Sequence, residues 1–226
     1  MRYLRQVFTV AAKDLRSEIR TKESLNAAIS FAIVILVLFS FAMDPSADQI
    51  QEMSGGLLWL VFAFAGALIL NRSFARELGN DCLDALVSSP VPGSALFLGK
   101  AAANFVLLIV VEIVSMPIFG ILYNSHWTRQ PFTLIVILLL ASWGVTVIGT
   151  MFSALTVNLR LRELMLPTLI YPMMIPALMA AMRLTTVVIS GDSIPADEWI
   201  WFRLLIGFDI IFTSLAVGLV EVVLVG

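Results

Sequence analysis

The chain has 226 residues, of which 60% are hydrophobic and 13% charged, with a net charge of −2 and a mean hydropathy of +0.97. A soluble domain is about 45–50% apolar and about 25% charged, so a soluble fold of this length cannot hide so much apolar surface. Disordered chains are polar and charge-rich, and nucleic-acid binders carry basic runs, whereas this chain has none beyond its first 24 residues. What remains is a polytopic membrane protein whose apolar surface is covered by lipid.

Residues 1–24 come first. Leu4, Val7, Phe8, Ala11, Leu15 and Ile19 recur at steps of three and four, and Arg5, Lys13, Arg16 and Arg20 lie largely off that stripe. The pattern predicts an amphipathic helix in the membrane interface just before a span. A topology signal with incidental helicity is the other reading. The uncharged run Leu25–Met43 is longer than a usual signal-peptide core and follows a segment holding both acids and bases, so it reads as a retained first span.

Five further runs approach or exceed the roughly 20 apolar residues that cross a bilayer: about 54–70, 98–123, 131–157, 164–182 and 200–226. Apolar and polar residues do not alternate in them, which excludes a β-barrel. The expected fold is therefore all-α, with six transmembrane helices in one domain, 1–226, and no sizeable soluble domain. Basic residues cluster in alternate connections. Arg2, Arg5, Lys13, Arg16, Arg20, Lys22, Arg72, Arg76, Lys100, Arg160 and Arg162 fall on one side, eleven of fourteen in all. Positive residues stay inside, so both termini are expected in the cytoplasm.

The connection Asn71–Phe97 is the most informative. Phe74, Leu78, Cys82, Ala85 and Leu86 follow a helical repeat, Glu77 and Asp84 lie beside it, and Ser88, Ser89, Pro90, Pro92 and Gly93 then break it. Asp81 falls close to the stripe and Gly79 weakens the helix. Such a short helix either caps the bundle or docks on a soluble partner, and the pattern alone leaves both open. On the other side, Arg183–Trp199 reads as the last external loop, with Trp199 and Trp201 where an aromatic belt is expected.

Within the spans, a charge at Glu112 costs roughly 2.5–3.5 kcal/mol on insertion scales. It must be neutral, paired or facing a cavity; it either lines that cavity or makes a hydrogen bond between helices. Pro117 follows about one turn later and permits a kink. Asp209 and Arg203 are six positions apart, about 120° around an ideal helix, so Asp209 is expected to meet another span or another subunit. Pro167, Pro172 and Pro176 in the fifth span mark either a hinge at a moving interface or a static kink.

No phosphate-binding GxxxxGK[ST] loop, HExxH or GxSxG occurs. One cysteine, Cys82, and one histidine, His126, exclude an intrachain disulfide and a His/Cys metal cluster. The reading is a non-enzyme with no catalytic residues and no metal site; a membrane enzyme would need converging ionisable groups.

Taken with their order and spacing, the runs KDLRSEIRTKES (13–24), FARELGNDCLDALVSSPVP (74–92) and LPTLIYPMMIPALMA (166–180) resemble the CcmB family. That is the membrane subunit of the haem-handling ABC complex of cytochrome c maturation. The resemblance covers nearly the whole chain. It implies an ABC-2-like permease fold in the bacterial cytoplasmic (inner) membrane, with residues 74–88 as a coupling helix. Phe74, Glu77, Leu78, Asp81, Leu83 and Leu86 would then meet the ATPase. It also implies a separate CcmA-type ATPase, CcmC- and CcmD-like membrane subunits, the haem chaperone CcmE as an indirect partner, and a homodimer as a possible assembly. Haem and ATP would be bound through those partners. The alternative is an ABC-2 exporter subunit for another amphiphile such as a lipid or drug.

Overall fold

The structure is a computed structural model and describes residues 2–42, 48–74, 77, 91–125, 127–156, 162–191 and 194–225, the side chains of 48–51, 162–166 and 221–225 excepted. Seven helices make up most of the described residues: α1 (Arg2–Thr21), α2 (Glu23–Ala42), α3 (Asp48–Asn71), α4 (Gly93–Leu122), α5 (Pro131–Thr156), α6 (Arg162–Ser190) and α7 (Trp199–Val225). Six of them are long and apolar enough to cross a membrane; the exception is α1.

The break between α1 and α2 has a local cause. Lys22 adopts the left-handed region, φ 56°, a conformation disfavoured for a residue with a side chain. Its N–H nonetheless donates to the Glu18 carbonyl at 2.6 Å, while the Leu25 N–H donates to Glu18 Oε1 at 2.9 Å. The buried Glu18 carboxylate thus serves the first turn of α2, whose N–H groups lack helical partners. The chain turns there from α1, which runs along α4, into the first span.

Inside the bundle α3 and α5 are central. In their apolar windows 67% and 61% of residues are buried, against 17% in α2 and 28% in α7, so α2 and α7 are peripheral. The core gathers Leu58, Trp59 and Phe62 of α3, Val111 and Phe119 of α4, Ile137 and Ile148 of α5, and Leu184 and Val188 of α6. Apolar burial does little to hold spans together in lipid, so single polar contacts between helices matter more. Trp59 Nε1 donates to Thr185 Oγ1 at 2.9 Å, Tyr123 Oη to the Leu36 carbonyl at 2.8 Å, and Trp143 Nε1 to Thr213 Oγ1 at 3.1 Å. These join α3 to α6, the end of α4 to α2, and α5 to α7.

Three helix limits depart from the sequence expectation, and α3 is the first, starting at Asp48 rather than near 54. α4 begins at Gly93, because Pro92 accepts the first helical bonds from Ala95 and Leu96. The Pro–Gly pair thus opens the span. α6 continues past Arg183 to Ser190 and stops at Gly191, φ +88°. One arginine does not end a helix when Leu184, Val188 and Ile189 behind it are buried.

A charged junction between α1, α4 and the 71–77 segment

Lys100 stands two turns into α4, and its side chain is 1% exposed. A buried ammonium needs compensation, and α1 and the segment after α3 supply it. Its Nζ lies 3.0 Å from Glu77 Oε1 and 3.1 Å from Asp14 Oδ2, donates to the Ser73 carbonyl at 2.9 Å, and sits 4.8 Å from the centroid of the Phe74 ring. Lys13 closes the group, with Nζ 2.6 Å from Glu77 Oε1 and 3.1 Å from Asp14 Oδ1. Two lysines and two carboxylates therefore tie α1, α4 and the segment after α3 into one junction. Asn104, one turn on, donates to both Ser73 Oγ and Thr150 Oγ1 at 2.9 Å and extends the connection to α5.

The backbone makes the junction possible. A Cβ on Gly99 would fall 2.6 Å from Val10 Cβ, so only glycine lets α1 approach α4 this closely. Val10 and Ala11 are buried there, while Leu4, Phe8 and Ile19 remain exposed. The apolar stripe read from the sequence is thus divided between the protein and the surroundings.

Burial works against the charge on Lys13. The hydrogen bond to Glu77 and the negative charges of Asp14 and Glu77 outweigh it and raise the pKa above its ordinary 10.5. A folded-state pKa above the unfolded one contributes stability in full below the ordinary value, which is lost as pH rises through the raised value. At neutral pH Lys13 therefore keeps its charge.

Of the residues singled out in the 74–88 segment, Phe74 and Glu77 are described, and both are buried, at 0% and 6% exposure. Leu78, Asp81, Leu83 and Leu86 lie outside the described residues. Lys13, Asp14, Lys100 and Asn104 carry the junction although the sequence marked Lys13 and Lys100 only as topology charges. The available signal was a lysine inside an apolar run, which has to find acids.

The intramembrane residues stay apart from this junction. Glu112 of α4 is 1% exposed and accepts a hydrogen bond at Oε1 from Ser142 of α5. Its Oε2 and the nearby Ser115 Oγ are buried without a hydrogen-bond partner among the described residues. Asp209 of α7 is buried, with neither carboxylate oxygen hydrogen-bonded among the described residues. It packs where Gly144 of α5 leaves room, since a Cβ there would lie 2.7 Å from Asp209 Oδ1. Pro117 lies inside α4, and Pro167, Pro172 and Pro176 inside a single continuous α6. Pro172 and Pro176 are exposed, one turn apart.

A family model described as "CcmB protein" matches residues 5–220. The chain belongs to the CcmB family. "Heme exporter protein B" of Rhodobacter capsulatus is 30% identical over 167 residues, covering 74% of this chain and 76% of the relative. The protein of that name from Pseudomonas aeruginosa is 31% identical over 159 residues, 70% of each chain. That of Escherichia coli is 27% identical over 94 residues, 42% of this chain and 43% of the relative. The CcmB match takes in both halves of the junction, from Lys13 and Asp14 to Glu77 and Lys100.

Proposed function

We propose that the chain is the permease subunit of an ABC complex of cytochrome c maturation, acting in haem delivery or in release of a haem-loaded chaperone. The observation that carries this reading is the family match, which runs from residue 5 to residue 220 and so includes the 74–88 segment and every span except the last residues of the sixth. ATP hydrolysis belongs to a separate CcmA-type partner. CcmC- and CcmD-like subunits hold the haem chemistry, and CcmE receives the cargo. The excess of Lys and Arg at the α1 end of the bundle supports a cytoplasmic location for that end and for both termini.

The mechanism is mechanical. The 74–88 segment docks on the ATPase with Leu78, Asp81, Leu83 and Leu86 toward the partner, while Phe74 and Glu77 root it in the membrane subunit. The burial of those two residues against Lys100 and Lys13 supports this division of labour. Movement of the segment reaches α4 through Glu77 and Lys100, and α1 through Asp14 and Lys13. The prolines of α6 are the hinge by which the opposite side responds. Coupling is preferred to passage of haem through the chain, because one histidine and no cysteine pair make a poor haem ligand set.

The test is affinity capture of the full chain in mild detergent, with identification of the bound ATPase and of haem-handling partners. Leu86→Glu is expected to abolish ATPase capture while leaving membrane insertion intact. Equal capture by the variant and the unaltered chain would refute docking through this segment. Phe74 is the poorer target, since a charge at a fully buried position disrupts the fold itself.

A further inference from the structure

A cavity of about 530 Å³ lies at the far end of the bundle from the charged junction, between the start of α3 and the end of α6. That volume is within the range of small-molecule sites. Gly56 lines it, and the adjacent Gly55 makes the close helix contact beside it. A Cβ on Gly55 would run into the Met182 carbonyl and Thr186 Oγ1, and the Gly55 N–H donates to Thr186 Oγ1 at 3.2 Å, so α3 is pressed onto α6. A Cβ on Gly56 would meet nothing within 4 Å, so bare backbone faces open space beside that tight contact.

The walls are apolar and include Phe39, Leu57, Leu60 and Met179. Leu60 and Met179 are 40% and 49% exposed, which opens the cavity sideways toward lipid. Methionine and glycine make such a wall adaptable. The rim carries Glu52, Arg183 and Glu198. Arg183 forms no ion pair with a described residue, and Glu198 Oε2 is buried without a hydrogen-bond partner among them.

One cation beside two carboxylates repels a dianionic amphiphile. It complements a headgroup that carries both a phosphate, suited to a guanidinium, and an ammonium, suited to a carboxylate. We propose that this cavity binds a zwitterionic aminophospholipid from the leaflet away from α1. One acyl chain lies along the Gly56 wall, the phosphate on Arg183 and the ammonium on Glu198. The site does not depend on the partner ATPase or on the cargo of the complex.

The full chain is reconstituted in nanodiscs of equimolar phosphatidylethanolamine and phosphatidylglycerol, extracted in mild detergent, and its retained lipid measured by native mass spectrometry. Phosphatidylethanolamine is expected to be retained several-fold over phosphatidylglycerol. Gly56→Leu, whose Cβ would meet nothing within 4 Å and whose side chain would occupy the cavity, should reduce that retention several-fold. Arg183→Gln with Glu198→Gln should keep lipid in the cavity but erase the preference. Equal retention of the two lipids by the unaltered chain would overturn the proposal, as would retention indifferent to Gly56→Leu. Displacement of the lipid by added haem, dependent on Gly56, would also overturn it, assigning the cavity to a tetrapyrrole. ATPase capture by Gly56→Leu is measured in parallel and is expected to be unchanged.

Discussion

Lys100 shows how a single residue can be read two ways. In the sequence it marks the basic side of the membrane; in the fold it is an enclosed ammonium shared by Glu77, Asp14 and the Ser73 carbonyl. Removing one member of a buried ion pair costs roughly 3–5 kcal/mol, whereas replacing both by apolar residues is often close to neutral. Lys100→Met should therefore sharply lower the melting temperature in detergent, and Lys100→Met with Glu77→Leu should recover much of the loss, with Lys13 and Asp14 still paired. Strictly additive losses would show that the residues do not act as a pair. Glu112 makes a smaller prediction. Glu112→Gln keeps an acceptor for Ser142 and should be nearly silent in the same melting assay. Glu112→Leu leaves that hydroxyl without its partner and should cost about 1–3 kcal/mol. Equal melting of the two variants would mean that the contact with Ser142 sets nothing.

Among the elements, α6 stays continuous in spite of its composition. Three prolines marked a hinge or a static kink, because each lacks the donor for the carbonyl four residues before it. The helix runs without interruption from Arg162 to Ser190. Its packing explains this: Ile170, Met174, Ala177, Ala180 and Ala181 are buried on one side, while Pro172 and Pro176 take the exposed side, where a missing bond disturbs no packed neighbour. Pro172→Ala with Pro176→Ala should raise thermal stability, since each interior proline disfavours a helix by up to ~3 kcal/mol. If α6 is the hinge, the same variant should assemble with the ATPase yet lose most coupled turnover. Full turnover in the assembled variant would make the prolines a static feature. α1 contrasts with α6. Its periodicity predicted the helix and part of its buried face, Ala11 and Leu15, but not Val10, which lies outside the expected stripe and meets Gly99 together with the Val7 carbonyl.

At the scale of the whole molecule, most basic residues and the charged junction share one end of the bundle, and the cavity beside Gly56 occupies the other. Under the proposed function, orientation then decides which end would meet the ATPase. In a Cys82→Ser background, Ser17→Cys should be labelled by a membrane-impermeant thiol reagent only in inside-out vesicles, and Asn124→Cys only in right-side-out ones. The reverse pattern would overturn the orientation and, with it, docking through 74–88.

The sequence by itself determined the solvent, the number of crossings, the uneven distribution of positive charge and the family. Those properties depend on composition and local runs of about twenty residues, which lipid selects without reference to tertiary contacts. The six described apolar helices fall on the six expected runs. Only the tertiary structure decided which residues meet. Lys13, Glu77 and Lys100 are 64 and 23 positions apart in turn, and nothing periodic links them. Likewise, the different roles of Gly55 and Gly56 become visible only when α6 lies against one and not the other. Such contacts arise from the crossing of helices far apart in the chain, where one missing Cβ or one enclosed charge is decided by a neighbour that no local pattern names.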